Sequence, residues 1–271
     1  MRKGFLILLF LGGKVFAQID KPLCKSIDEI AEAEKNSFQR TLLTTRSQAS
    51  PNFQVTYYRC VWDIDPSVRY IKGTVTSHFI TNNASNTITY DIASQLTVDS
   101  IYFHGNKISF SRQTDLLQIN IPVTINSRQK DSVTIFYKGE PPNTAFGSFV
   151  QTTHNGVPVL WTLSEPYGSR DWWPCRNGVD DKADSMDIII NCPNSYRASS
   201  NGMLANETDN GLTRTAFYRH RYPIACYLVA FAVTNFKVLN HSVQLGSVNL
   251  PMITYCYPED ENSFQQNTPK V

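Results

Sequence analysis

The sequence predicts an all-β protein built on a large twisted β-sandwich or saddle-like sheet. Three observations carry that prediction. The 271 residues include 13 Tyr and 15 Phe, together with many Thr, Val and Ile, a composition that favours strands over helices. From Phe53 onward apolar residues recur at every second position, which places them on one face of a pleated strand. Turn signals separate these runs at short intervals with no helical pattern between them, the arrangement of a sandwich rather than of βαβ units.

The N-terminus reads as a signal peptide over residues 1–17. Arg2 and Lys3 give a basic start, Gly4–Gly13 an apolar stretch, and Val15-Phe16-Ala17 a small-residue cleavage site before Gln18. The apolar stretch is too short to span a bilayer, so the expectation is export, to the periplasm or the extracellular space, with no membrane span after cleavage. Residues 18–52 read as a short helix and a linker. Within Cys24–Leu43, Ile27, Ile30, Ala31, Phe38 and Leu42 fall at helical spacing, and Ser26 with Glu29 forms a capping-box pattern. Thr44–Asn52 is polar and carries Pro51, which suits a linker.

Residues 53–258 form the predicted β domain. Val75, Ser77 and Phe79 line one strand face, and Ile88, Tyr90 and Ile92 another. Leu117, Ile119, Ile121 and Val123 follow, then Val133, Ile135 and Tyr137, then Met186, Ile188, Ile190 and Cys192. Asn82-Asn83, His104-Gly105-Asn106, Lys138 to Pro142, Asn201-Gly202 and Asn210-Gly211 supply the turns. Ala225–Val233 is continuously apolar and too short to cross a membrane, so it is predicted as one strand buried on both faces. Residues 259–271 are polar and read as a boundary segment toward a domain outside this chain.

Several function classes are excluded or disfavoured by composition and motif. With 41% hydrophobic and 18% charged residues the chain is not globally disordered. A net charge of +2 with both signs interspersed gives no footprint for nucleic acid. The histidines, His78, His104, His154, His220 and His241, show no H-E-x-x-H spacing, so no metal-ligating residue is assigned in this chain. The acidic run Asp180, Asp181, Asp184 and Asp187 lacks the EF-hand order; a solvated loop, or pairing with Lys182 and Arg176, accounts for it better. No nucleophile elbow is present, and no catalytic residue is assigned. Six cysteines (Cys24, Cys60, Cys175, Cys192, Cys226 and Cys256) leave pairing open, and Cys175 and Cys192 suit buried thiols as well as bridges.

The segment Trp161–Ala183, WTLSEPYGSRDWWPCRNGVDDKA, concentrates the chemistry. Glu165 can present a fixed carboxylate beside Pro166, and Trp172-Trp173-Pro174-Cys175 can build a rigid apolar wall under it. Thr162, Glu165, Pro166, Arg170, Pro174, Cys175, Lys182 and Ala183 stand at the spacing T-x-x-E-P-x-x-x-R-x-x-x-P-C-x-x-x-x-x-x-K-A. Together with Tyr57–Gly73, with Pro193 and Ser200-Asn201-Gly202, and with Pro223–Phe236, this resembles the N-terminal domain of the aminopeptidase N family of zinc metallopeptidases.

The resemblance implies a twisted β domain packed against a helical catalytic domain of the same polypeptide. It implies that Glu165 binds the free α-amino group of a peptide, and that Arg170, Trp172, Trp173, Pro174 and Cys175 support that site. Arg170 is expected to hold the segment through two bonds from its forked guanidinium. The sequence departs from the family pattern at Leu163, Trp173 and Asn177-Gly178, where Gln, Phe and an acidic pair are usual; the turn's ionic contacts are therefore in question. The family's zinc motif and its G-x-M-E-N exopeptidase motif are absent, so the expected reading is a substrate-anchoring domain, truncated before its catalytic half and inactive alone, with zinc in the full-length enzyme only. The alternative is a stand-alone secreted β-sandwich that binds peptide, glycan or protein through Trp172 and Trp173.

Overall fold

The computed structural model describes residues 49, 51–144, 147–179 and 181–268. The predicted signal peptide, the helix expected over Cys24–Leu43 with its Cys24, most of the linker and residues 269–271 lie outside them.

The fold is all-β. The chain opens with β1 (Phe53–Asp63), β2 (Ile71–Thr81), β3 (Ser85–Asp91), β4 (Thr97–Phe103), β5 (Asn106–Ile108), β6 (Phe110–Gln113), β7 (Leu116–Ile125) and β8 (Lys130–Gly139). It continues with β9 (Phe149–His154), β10 (Val157–Thr162), β11 (Lys182–Ala183), β12 (Ser185–Pro193) and β13 (Arg197–Ser200). β14 (Met203–Asp209), β15 (Thr213–His220), β16 (Ile224–Ala225), β17 (Phe231–Thr234), β18 (Lys237–Leu245) and β19 (Val248–Cys256) complete the strands, and one short helix, α1 (Glu261–Asn267), follows.

Eight strands form the main sheet in the order β14-β15-β12-β1-β2-β8-β4-β5. The pairing of β1 with β12 is parallel, Cys60 opposite Ile188, and joins segments more than a hundred residues apart; the remaining pairs are antiparallel. A three-stranded sheet, β3-β7-β6, and a four-stranded sheet, β13-β17-β10-β9, cover the inner face. The alternation explains why. On β2, Val75, Ser77 and Phe79 are fully buried, whereas His78 is exposed, so one face is apolar and one wet. Burying such a face contributes about 25 cal/mol per Å² removed from water, and two smaller sheets do so here. Phe53 packs edge-on against Phe79 of the same sheet at 5.6 Å and meets Tyr90 of β3 at a tilt at 5.3 Å, the latter a contact between layers. Tyr90 also donates to Ser77 at 2.8 Å, so the polar residue on the apolar stripe of β2 is satisfied.

The structure corrects three sequence expectations. Ala225–Val233 is not one strand: β16 ends at Ala225, a 3-10 turn spans Cys226–Leu228, and β17 begins at Phe231, with Leu228 49% exposed. Continuous apolarity does not report the break, because it lacks the period that separates strand from turn. Val123 does not join the stripe of Leu117, Ile119 and Ile121; it is 54% exposed. The pairing with β3 is irregular between Asn120 and Ile125, and Ile125 returns to the core on the same face. Lys138 and Gly139 remain in β8 rather than opening the turn. Beyond β19 the chain makes a 3-10 turn at Pro258–Asp260 and then α1. The hairpin β18–β19, unmarked by any sequence signal used above, forms a separate two-stranded sheet.

Candidate functional site

Between β10 and β11 the chain crosses the inner face of the main sheet, and that crossing is the Glu165 segment. Its first residues keep the alternation of β10: Thr162 and Ser164 are buried, Leu163 and Glu165 exposed. The Glu165–Pro166 peptide is cis. A short 3-10 turn at Ser169–Asp171 then leads into Trp172, Trp173, Pro174 and Cys175, all buried.

The layer beneath Glu165 is apolar and aromatic. Trp172 and Trp173 are both fully buried. Trp62 of β1 packs edge-on against Trp172 at 4.9 Å and against Trp173 at 6.1 Å. Phe231 of β17 closes on Trp172 at 5.3 Å, and Tyr58 of β1 meets Trp173 at 5.0 Å. Such pairs add roughly 0.5–1.5 kcal/mol each beyond the area they bury. Full burial contradicts the use of Trp172 and Trp173 as an exposed contact surface, because both rings are occupied in the core.

Several polar atoms at this level are hydrogen-bonded, whereas Trp173 Nε1 and Ser169 Oγ are buried without a partner. Trp172 Nε1 donates to Ser164 Oγ at 2.8 Å, and Ser148 Oγ donates to Asp171 Oδ2 at 2.6 Å. Tyr137 of β8 donates to the Trp172 carbonyl at 3.0 Å. Gly168 N–H donates to the Ser164 carbonyl at 2.6 Å, closing the turn around Pro166. A Cβ at residue 168 would collide with Ser148 Oγ, so glycine is required for that close approach. Burial pushes the Tyr137 and Tyr58 hydroxyls well above the usual tyrosine range, which keeps both neutral as hydrogen-bonding groups.

The second half of the segment is fastened to the three-stranded sheet. Cys175 and Asp91 exchange backbone bonds, Asp91 N–H to Cys175 O at 2.8 Å and Cys175 N–H to Asp91 O at 3.1 Å. Asn177 N–H donates to Asp91 Oδ2 at 3.1 Å, and Asn177 Nδ2 to the Tyr167 carbonyl at 2.7 Å. A neutral amide therefore makes this turn's contacts where the sequence comparison left ionic ones in question. Arg176 donates to the Phe53 carbonyl at 2.6 Å and pairs with Asp181 at 3.5 Å, as the sequence suggested for the acidic run; Asp187 instead pairs with Arg221 at 2.6 Å.

Arg170 departs from expectation. Its guanidinium reaches Asp115 at 3.9 Å, beyond hydrogen-bond range, and its Nε has no hydrogen-bond partner, so the two-bond grip is not made. Its carbonyl instead accepts the Ala93 N–H at 2.7 Å. Glu165 does not pair with Arg170, and among the described residues it makes no ion pair. Sequence reasoning missed Ser148, Ser164, Asp171 and Asp91. Nothing local marks them, since each meets its partner only through the fold. Among the described residues no three His, Cys, Asp or Glu side chains gather into a group that could hold a metal ion.

An exposed carboxylate on a tightly held loop, over a tryptophan layer and fastened to two sheets, matches the segment that the sequence singled out. Residues 54–228, well over half of the chain, match the model of the peptidase M1 N-terminal domain. The chain belongs to the peptidase M1 N-terminal domain family. Solved M1 structures share the fold. The M1 zinc metallopeptidase from Deinococcus radiodurans is 18% identical with a TM-score of 0.67, over 79% of this chain and 52% of that one. A mutant of that enzyme bound to a Tyr-Ser-Ala substrate is 19% identical with a TM-score of 0.68, over the same shares. At such identity the likeness shows the fold alone. This M1 domain chain spans about half the length of the solved structures it matches. No curated protein matches its sequence.

Proposed function

We propose that this chain is the substrate-anchoring N-terminal domain of an exported zinc aminopeptidase, with Glu165 as the carboxylate that binds the free α-amino group of a peptide. The observation that carries the reading is Glu165 itself, exposed and without an ion pair among the described residues, on a loop whose underside is buried and hydrogen-bonded. A free α-amine has a pKa near ~8 and is mostly protonated at neutral pH. A pre-positioned carboxylate selects it through a charge-assisted hydrogen bond of roughly 1.5–3 kcal/mol. A peptidase that requires a terminal ammonium becomes an exopeptidase. Arg170, Trp172, Trp173, Pro174 and Cys175 act in this reading by holding the loop, not by touching substrate.

Zinc belongs in this reading to the catalytic domain of the same polypeptide. The hairpin β18–β19 supports a covering partner of that kind. Its pairs Val243–Leu250 and Leu245–Val248 put four apolar side chains on one face. Leu245, Val248 and Leu250 are 60, 54 and 40% exposed, a cluster that soluble monomers rarely leave open to water.

The test is Glu165→Ala in the polypeptide carrying its catalytic domain, assayed on aminoacyl substrates. KM should rise and kcat fall, because the anchor also orients the scissile bond, with kcat/KM down about 10- to 100-fold. An unchanged kcat/KM removes Glu165 from the site.

A further inference from the structure

Five cysteines are described, all buried with free thiols, and the fold brings the stretches that carry two of them side by side. Cys175 sits at the end of the tryptophan layer, on its bridge to Asp91. Cys226 begins the 3-10 turn that breaks the apolar run after β16. The antiparallel pair β11–β16, Lys182 opposite Ala225 and Ala183 opposite Ile224, brings the two stretches side by side. Cys226 Sγ lies 3.9 Å from Asn177 Oδ1 and 3.8 Å from the Gly178 carbonyl, two and three residues beyond Cys175, and Cys226 acts on the Cys175 thiol. Cys192 Sγ faces the Tyr196 carbonyl at 3.6 Å and Cys256 Sγ the Lys237 carbonyl at 3.9 Å, whereas Cys60 also acts on the Cys175 thiol, though less than Cys226 does.

We propose that Cys175 and Cys226 are the two halves of a disulfide that staples the Glu165 segment to the 3-10 turn after β16, made by thiol–disulfide exchange with a disulfide oxidant while the chain folds. One cysteine thiolate attacks a sulfur of the oxidant, forming a mixed disulfide and releasing one thiol. The second cysteine thiolate attacks the protein sulfur of that mixed disulfide, closing the bond and releasing the second thiol. Two protein thiols are oxidised, one oxidant disulfide is reduced, and the protons lost by the cysteines are balanced by those the leaving thiolates take up.

Burial sets the timing. Cys175 is fully buried and Cys226 is 5% exposed, so a soluble oxidant reaches them only before the segment closes. Burial, reinforced by contact with Cys226, also pushes the Cys175 thiol well above the usual range, which suppresses the reactive thiolate once folding is complete. The bond would close a loop of about 50 residues, a length at which the constraint on the unfolded chain is large. It would act on the part of the segment that follows the tryptophans and leave the exposed Glu165 carboxylate free.

The experiment refolds the reduced, denatured 271-residue chain in oxidised and reduced glutathione, blocks residual thiols with N-ethylmaleimide and maps peptides by mass spectrometry. The expected result is one joined peptide pair containing Cys175 and Cys226, about 2 Da lighter than the sum of its two thiol peptides. The oxidised form should melt about 10 °C above the chain refolded with a reductant. Cys226→Ala should abolish both the joined peptide and the difference in melting, whereas Cys60→Ala should leave both. Recovery of Cys175 and Cys226 as blocked thiols from the oxidatively refolded wild-type chain, or of either one joined to another cysteine, overturns the proposal whether or not the variants fold.

Discussion

Trp172 and Trp173 are neighbours in sequence and equally buried, yet they hold the segment in different ways. Trp172 uses its indole N–H on Ser164, whereas the Trp173 N–H has no acceptor. Phenylalanine at position 172 removes the donor as well as ring volume and leaves the buried Ser164 hydroxyl without it. At position 173 only volume is lost, and phenylalanine is the residue usual there in the family that the sequence resembles. Trp172→Phe is therefore expected to cost about 2–4 kcal/mol and Trp173→Phe about 1–2 kcal/mol, read from urea midpoints at constant slope. Equal costs would mean that the Ser164 bond contributes nothing net. Glu165 stands at the opposite extreme. It is exposed and unpaired among the described residues, so the loss of kcat/KM expected for Glu165→Ala should come with no more than about 0.5 kcal/mol of lost stability.

The strand elements were legible wherever one face is dry and the other wet. β2, β8 and β12 follow the alternation residue for residue, since a half-buried sheet enforces it. Where both neighbours of a segment are apolar the pattern carries no phase, and the turn at Cys226–Leu228 went unseen. The end of the chain shows how two distant elements are joined. The β9–β10 hairpin holds the 3-10 turn at Pro258–Asp260 through His154, whose Nε2 lies 2.5 Å from Glu259 Oε1 and whose ring stacks on Tyr257 at 3.7 Å. Asn155 donates to the same oxygen at 2.5 Å. The Glu259 carboxyl is held below the usual carboxylate range by its own backbone N–H first and by His154 next. A carboxyl lowered on folding stabilises fully above its unfolded pKa, and that contribution is lost as pH falls through the lowered value. Wild type should thus melt above Glu259→Gln at about pH 6, with the difference shrinking below about pH 4. A difference that persists unchanged at low pH would show that the carboxylate charge plays no part in the join.

At the scale of the whole molecule, the main sheet is a platform and the two smaller sheets are its cover, with the Glu165 segment fastened to both. Among the described residues no group of His, Cys, Asp or Glu side chains that could hold a metal ion accompanies Glu165. In the proposed reading the isolated 271-residue chain does not turn over an aminoacyl chromogenic substrate with or without added zinc. Metal-dependent hydrolysis by the purified chain would sink that reading. The exposed apolar face of β18–β19 belongs to the same scale, because it is a surface of the domain rather than part of its core.

The sequence by itself determined the β class, most buried faces and the stretch Trp161–Ala183, because alternation and motif spacing are written in contiguous residues. It also marked Glu165, whose part in the proposed function depends on its being exposed on a held loop. Only the tertiary structure decided what lies beneath that residue. The parallel pairing of β1 with β12, the Asp91 bridge to Cys175, the Ser148–Asp171 bond and the contact of Cys226 with Asn177 and Gly178 join segments from about twenty to more than a hundred residues apart. Such contacts follow from burying several apolar faces at once, and a pattern read along one dimension carries no record of which faces will meet.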